Sequence, residues 1–308
     1  MKKRNYWILA TAILLTVALT ASAASDSVLG PIYDTGKTLL FDTDNVTLNG
    51  YAYFSLDGEL FKTVKAKYIQ DNVNSVWDYK LYTPLADETG EKESGYTVYA
   101  NGEEVCVADA CYPGTYRNGY CESQNTLVRR SALLDQVVGL IGAAVSCTEP
   151  LLPEGAVEVI TENHTGKTVR VTLEESNISD LAKTAFNLAT QMVISRAIER
   201  ENFDYLPSPY IPFRAFSTVS KAIVSCTERY DLNFLDVTAI LDGNGRLRSL
   251  NAGLTVILDL AEECLSEGEP EQRRLDITLS VSVSDYGTSK VNAFDPEAAG
   301  LSLQWYDD

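Results

Sequence analysis

The chain has 308 residues, 45% of them hydrophobic, and a formal net charge of −18, which is length enough for one large core or two small ones. The acidity argues against a nucleic-acid partner, because a phosphate backbone selects a basic footprint. Past the N-terminus, Arg129-Arg130 and Arg273-Arg274 are isolated pairs and no longer Lys/Arg run occurs.

The first residues read as a secretory leader. Lys2, Lys3 and Arg4 form a positive start, Tyr6 to Leu19 an apolar run too short for a comfortable membrane span, and Ala21-Ser22-Ala23 a small-residue cleavage site. This predicts a signal peptide over 1–23 and a secreted or extracytoplasmic protein. The alternative is an uncleaved anchor, which would be the chain's only contact with a membrane. Residues 25–44 read as a mixed lead-in with a turn at Gly30-Pro31.

Strands follow. Val46, Leu48, Ala52 and Phe54 alternate with Thr47, Asn49, Tyr51 and Tyr53, and Leu56-Asp57-Gly58-Glu59 turns into a second strand over 60–70. A third strand over 75–83 carries Trp77, Tyr79 and Leu81 on one face, and 87–94 is a charged loop. Short strands are predicted over 96–99 and 104–108, with a turn at Pro113-Gly114. From Asn125 the spacing becomes helical: Leu127, Leu134, Val137, Val138 and Ile141 keep to one stripe over 126–145. A hairpin over 156–174 precedes a second helix over about 179–200, capped by Asn177 or Ser179, with Leu181, Ala185, Leu188 and Met192 on its apolar side.

The strongest pattern lies between Asp231 and Val291. Leu250, Ala252, Leu254, Val256, Leu258 and Leu260 share one parity, and Leu275, Ile277, Leu279, Val281 and Val283 alternate with Asp276, Thr278, Ser280, Ser282 and Ser284. Asp242-Gly243-Asn244-Gly245 supplies a tight turn. Such strands make a sheet wet on one face and covered on the other. The predicted fold is α+β, with the two amphipathic helices packed on the apolar face of an antiparallel sheet. It occupies 24–308 as one domain, with a helical insert at about 126–200 and a loose acidic tail at about 297–308.

No catalytic or metal signature accompanies this pattern, and the predicted protein is not an enzyme and takes no cofactor. His164, the one histidine, sits in a turn-like stretch, and no Gly-x-Ser-x-Gly elbow occurs. Glu103-Glu104, Glu174-Glu175 and Glu262-Glu263 read as solvated acids rather than a paired catalytic set. The Asp242 loop lacks the distal bidentate acid of a calcium loop. Cys106, Cys111, Cys121, Cys147, Cys226 and Cys264 lack zinc spacing; they allow up to three disulfides in a secreted chain or burial as small hydrophobes. Asn45, Asn163 and Asn177 begin glycosylation sequons, which matter only on a eukaryotic secretory route.

The Asp-Gly hairpins (Leu56-Asp57-Gly58 and Leu241-Asp242-Gly243), the long strand Leu247 to Leu260, and the closing run from Leu279 through Asp285-Tyr286-Gly287 to Val291 resemble the LolA-like superfamily of extracytoplasmic lipoprotein and lipid carriers. The likeness is greatest to secreted members from Gram-positive bacteria. It implies a strongly curved half-barrel with helices plugging its concave side, a lipid or acyl-chain ligand, and no catalytic residue. Leu134, Val138, Leu188 and Met192 from the helices would then face Leu250, Leu254, Val256, Leu279 and Val281 from the sheet across a ligand space. The alternative is a structural or interaction module, solid in its core, whose partners are envelope proteins.

Overall fold

The computed structural model describes residues 30–72, 74–84, 91–101, 104–109, 114–120, 135, 138–139, 152–180, 182–188, 190–191, 226–265, 268–292 and 294–303. The leader expected over 1–23 lies outside them, and no described helix is long and apolar enough to cross a membrane.

The first described element corrects the expected lead-in. Gly30–Phe41 is a helix, α1. Gly30 and Pro31 stand at its start rather than in a free turn, the end of a helix where proline costs nothing. Ile32, Gly36, Leu39 and Leu40 are buried at helical spacing. Thr35, Gly36 and Thr38, weak helix formers, interrupt that stripe in the sequence.

Among the described residues, twelve strands build one sheet. They are β1 (Asn45–Leu56), β2 (Glu59–Asp71), β3 (Asn74–Pro84), β4 (Glu91–Asn101), β5 (Glu104–Asp109), β6 (Thr115–Tyr120), β7 (Val157–Asn163), β8 (Gly166–Glu174), β9 (Thr227–Asp242), β10 (Leu247–Leu260), β11 (Gln272–Ser284) and β12 (Ser302–Leu303). Their order is β12-β6-β5-β4-β3-β2-β1-β11-β10-β9-β8-β7. Two meanders, β1 to β6 and β7 to β11, join where β1 pairs antiparallel with β11. All pairs are antiparallel except β12 with β6. The sheet is open, with β7 and β12 at its edges.

Three expectations change. β4 begins at Glu91, inside the stretch read as a charged loop. Thr115–Tyr120 is a strand where only a turn was expected. The acidic tail is not loose through Leu303: Ser302 N–H donates to Gly114 O (2.9 Å) and Phe294 stacks on Tyr99 with ring centroids 3.6 Å apart. Residues 304–308 lie outside the described set.

The two faces of the sheet divide by parity. On the core face, Leu250, Ala252, Leu254, Val256 and Leu258 of β10 sit beside Leu279, Val281 and Val283 of β11 and Leu48 and Ala52 of β1, all buried. The other face is polar. Arg170 bridges to Asp236 by two bonds of 3.0 and 2.8 Å, and Thr255 Oγ1 donates to Asp276 Oδ1 (2.6 Å).

The core face is covered by α1, by Val138, and by a helix described at 182–188 and 190–191. Ser179 Oγ accepts the Ala182 N–H at 3.2 Å, a serine N-cap. Of the six cysteines, Cys226 and Cys264 form a disulfide that ties the entrance of β9 to the turn after β10. Cys106 is free and half-buried on β5.

Candidate functional site

One end of the core face is closed by polar stitching. The turn after β11 puts Asp285 and Gly287 at positive φ (56° and 71°), and side chains then lock it in place. Ser289 N–H donates to Asn45 Oδ1 (2.7 Å), Asn45 Nδ2 donates to Ser289 O (3.2 Å), and Tyr286 O–H donates to Leu247 O (2.9 Å). Buried Gln70 accepts from Tyr68 O–H at 2.5 Å and donates to Asn72 O at 2.9 Å. Burial, reinforced by Asp242, pushes the Tyr286 phenol well above its ordinary value. The first sequon asparagine, Asn45, thus spends its amide on the fold.

At that same end Asp242 Oδ1 accepts the Asn244 and Arg246 amides, both at 2.9 Å, so the Asp-Gly-Asn-Gly stretch is a self-satisfied hairpin. The β7–β8 turn lies against it. A Cβ on Gly166 would meet Leu241 O at 2.1 Å, so only glycine fits there.

The opposite end differs. Phe54 and Leu56 of β1, Val64 of β2, and Leu275 and Ile277 of β11 are core-face residues only partly buried, and register makes them neighbours: Leu56 opposite Leu275, Phe54 opposite Ile277. A bulge in β2 lies here, since Phe54 pairs with Lys62 and Ser55 with Leu60, leaving Phe61 as the extra residue. The Phe61 ring stands 6.3 Å from that of Phe54. Bulges re-aim side chains and gather beside functional sites.

Lys62 shares this end. It follows the core-face parity of Val64, Ala66 and Tyr68 and is only 4% exposed. Burial pushes its amine down to about 8. Arg273 also holds a core-face register position at this end, opposite Leu258. The rim is anchored by Asp57 at the tip of the β1–β2 turn. Its carboxylate accepts the Arg274 amide (2.8 Å) and the Arg273 guanidinium. Partial burial works against the Asp57 charge, but these donors outweigh it and hold the carboxyl below its usual value.

The predicted lining residues fall as follows. Val138, Leu250, Leu254, Val256, Leu279 and Val281 all lie within one buried cluster, at 7% exposure or less. Leu188 is 44% exposed; its helix buries Ala182, Ala185 and Phe186 instead. Leu134 and Met192 lie outside the described residues. Partly buried core-face side chains gather at the β1–β2–β11 end, which the spacing of Leu and Val did not single out. A signal for it existed: Lys65 and Lys67 share one parity in β2, and Lys62 has the other.

No protein-family model matches the chain, and no curated protein does. Among solved structures it is similar to a LolA superfamily protein, NE2245 from Nitrosomonas europaea, at 10% identity over 94% of this chain and 96% of that one, with a TM-score of 0.20. It is also similar to an N-terminal dehydratase from the difficidin assembly line, at 12% identity over 77% of each chain, with a TM-score of 0.13. At TM-scores this low neither likeness decides anything, and the reading of the site rests on its own residues.

Proposed function

We propose that this is an extracytoplasmic, non-enzymatic binding protein that carries or senses a hydrophobic ligand, a lipid or acyl chain, between a curved half-barrel sheet and the helices that cover it. The observation that carries the reading is the uneven closure of one apolar face. Most of that face is buried, while Phe54, Leu56, Val64, Leu275 and Ile277 are only partly buried at one end. A face used only as a core gains nothing from leaving five large apolar side chains part-wet. A disulfide and a leader-like N-terminus are in keeping with an oxidising compartment.

A second reading has its own support. Leu250, Val256, Leu279 and Val281 are at most 2% exposed, as a solid core requires. That favours an envelope interaction module without a small ligand. Organic extraction of the purified protein followed by mass spectrometry, with titration of a fluorescent fatty-acid analogue, separates the two. Saturable binding of about one probe per chain supports the carrier. Absence of both extracted lipid and saturable binding overturns it.

A further inference from the structure

On the polar face of the sheet, two aromatic side chains stand where folding gives them little to do. Tyr51 and Tyr53 of β1 are 42% and 39% exposed, with ring centroids 5.4 Å apart and planes at 62°. Their cross-strand neighbours are polar: Ser280 and Lys65 flank Tyr51, and Thr278 and Thr63 flank Tyr53. The apolar core lies on the other face, so neither ring is withdrawn from water by covering it.

The ground differs on the two sides of this pair. Toward β11 and β10 the side chains are small: Thr278, Ser280 and Ser282 stand opposite Gly253, Asn251 and Ser249. A Cβ on Gly253 would meet nothing within 4 Å. Ser280 Oγ donates to Asn251 Oδ1 at 2.7 Å, so hydroxyl and amide groups line this strip. Toward β2 and β3 the face is cationic. Lys65 and Lys67 are exposed, and the Lys65 ammonium stands 4.8 Å from the centre of the Tyr82 ring. Two acids of the face already accept hydrogen bonds within it. Asp78, opposite Lys67, accepts from Thr97 Oγ1 at 3.4 Å, and Asp276 accepts from Arg274 and Thr255.

A pyranose ring presents C–H groups on its faces and hydroxyls around its edge. The C–H groups suit the negatively polarised face of a tyrosine ring, and the hydroxyls suit Ser, Thr and Asn side chains. Two neighbouring ammonium groups add a preference for sugars that carry carboxylates. The net charge of −18 does not oppose this at contact range, because exposed charges farther apart than about 8 Å are largely screened at physiological salt.

We infer that this face docks an acidic polysaccharide, a chain of uronic-acid pyranoses, with its rings against Tyr51 and Tyr53 and its carboxylates at Lys65 and Lys67. The surface lies on the opposite side of the sheet from the apolar face and is independent of any ligand bound there.

The experiment titrates the purified protein with polygalacturonate, neutral galactan, polyglutamate and oligo(dT) by calorimetry. Galactan offers rings without charge, polyglutamate charge without rings, and oligo(dT) both in nucleic-acid form. Polygalacturonate should bind about tenfold or more tightly than each of the other three. The double variant Tyr51→Ala, Tyr53→Ala should weaken it by about tenfold, while Tyr51→Phe with Tyr53→Phe should keep most of the affinity. Lys65→Gln with Lys67→Gln should bring polygalacturonate down to the galactan level and remove most of its salt dependence. If the double alanine variant does not fold, each single alanine variant carries the same comparison. No binding of polygalacturonate, another probe that matches or exceeds it, or affinity unchanged in the tyrosine or the lysine variants overturns the inference.

Discussion

Lys62 should make the protein less stable at neutral pH than a variant without its charge. Its amine is lowered from 10.5 to about 8 by burial. At about 1.4 kcal/mol per pH unit, the charged form in the folded state carries a penalty of up to about 3 kcal/mol. The sign follows from proton linkage. Below pH 8 the folded and unfolded chains both hold the proton, and the full penalty stands. Between about 8 and 10.5 the folded chain loses its proton first, the unfolded chain binds more, and stability rises with pH. Above 10.5 the penalty is gone. Lys62→Met has no such group. Urea denaturation of ligand-free wild type and Lys62→Met at pH 7, 8.5 and 10, followed by tryptophan fluorescence, gives the difference at each pH. Other titrating groups cancel in that difference. The variant should be more stable at pH 7, and its advantage should shrink toward pH 10. An advantage of constant size, or a variant less stable at every pH, would refute the reasoning.

The closed end should be the stability anchor. Tyr286→Phe removes the donor to Leu247 O and should cost about 1 to 2 kcal/mol by chemical denaturation. Replacing Cys226 and Cys264 by serine opens a cross-link between residues 38 apart, with a cost of up to about 4 kcal/mol; reduction of the wild type should lower its melting temperature similarly. Asp57 and Asp276 titrate below the usual carboxylate value. The stability they contribute is present above the unfolded-state carboxylate value and lost as pH falls through their lower folded values. Acid unfolding should therefore begin below about pH 4, and Asp57→Asn should flatten that part of the curve. Leu250→Ala empties a fully buried site and should cost about 3 kcal/mol. Phe54→Ala, at the part-open end, should cost less while weakening oleate binding more, as paired melting and titration would show.

How far the sequence carried the fold depends on where periodicity was uninterrupted. β9 to β11 and the Asp242 hairpin are read from alternation and an Asp-Gly-Asn-Gly turn alone, because both faces of those strands obey one rule. The β7–β8 hairpin and the Ser179 cap follow from equally local chemistry. α1 was missed because its buried stripe includes Gly36 and is broken by Thr35 and Thr38, so the helix is held by what it packs on rather than by propensity. β6 and β12 were missed because they are short, six and two residues long. β12 gains its place from a parallel pairing with β6, and the two lie 188 residues apart at Ser302 and Gly114. No local pattern encodes such a contact.

The candidate site shows the same division more sharply. Apolar parity locates a covered face, but it cannot say which end of that face is sealed, because sealing comes from elements distant in sequence. Gln70, Asn45, Ser289 and Tyr286 close one end through bonds spanning up to 244 residues. Leu250 and Val281 were therefore chosen as lining for a sound reason, being central and apolar, yet centrality is what buries them at 0% and 1% exposure. Lys62 breaks the parity of Lys65 and Lys67 within a single strand, and the bulge at Phe61 explains why that break is tolerated: it ends the regular pairing with β1 next to the buried amine.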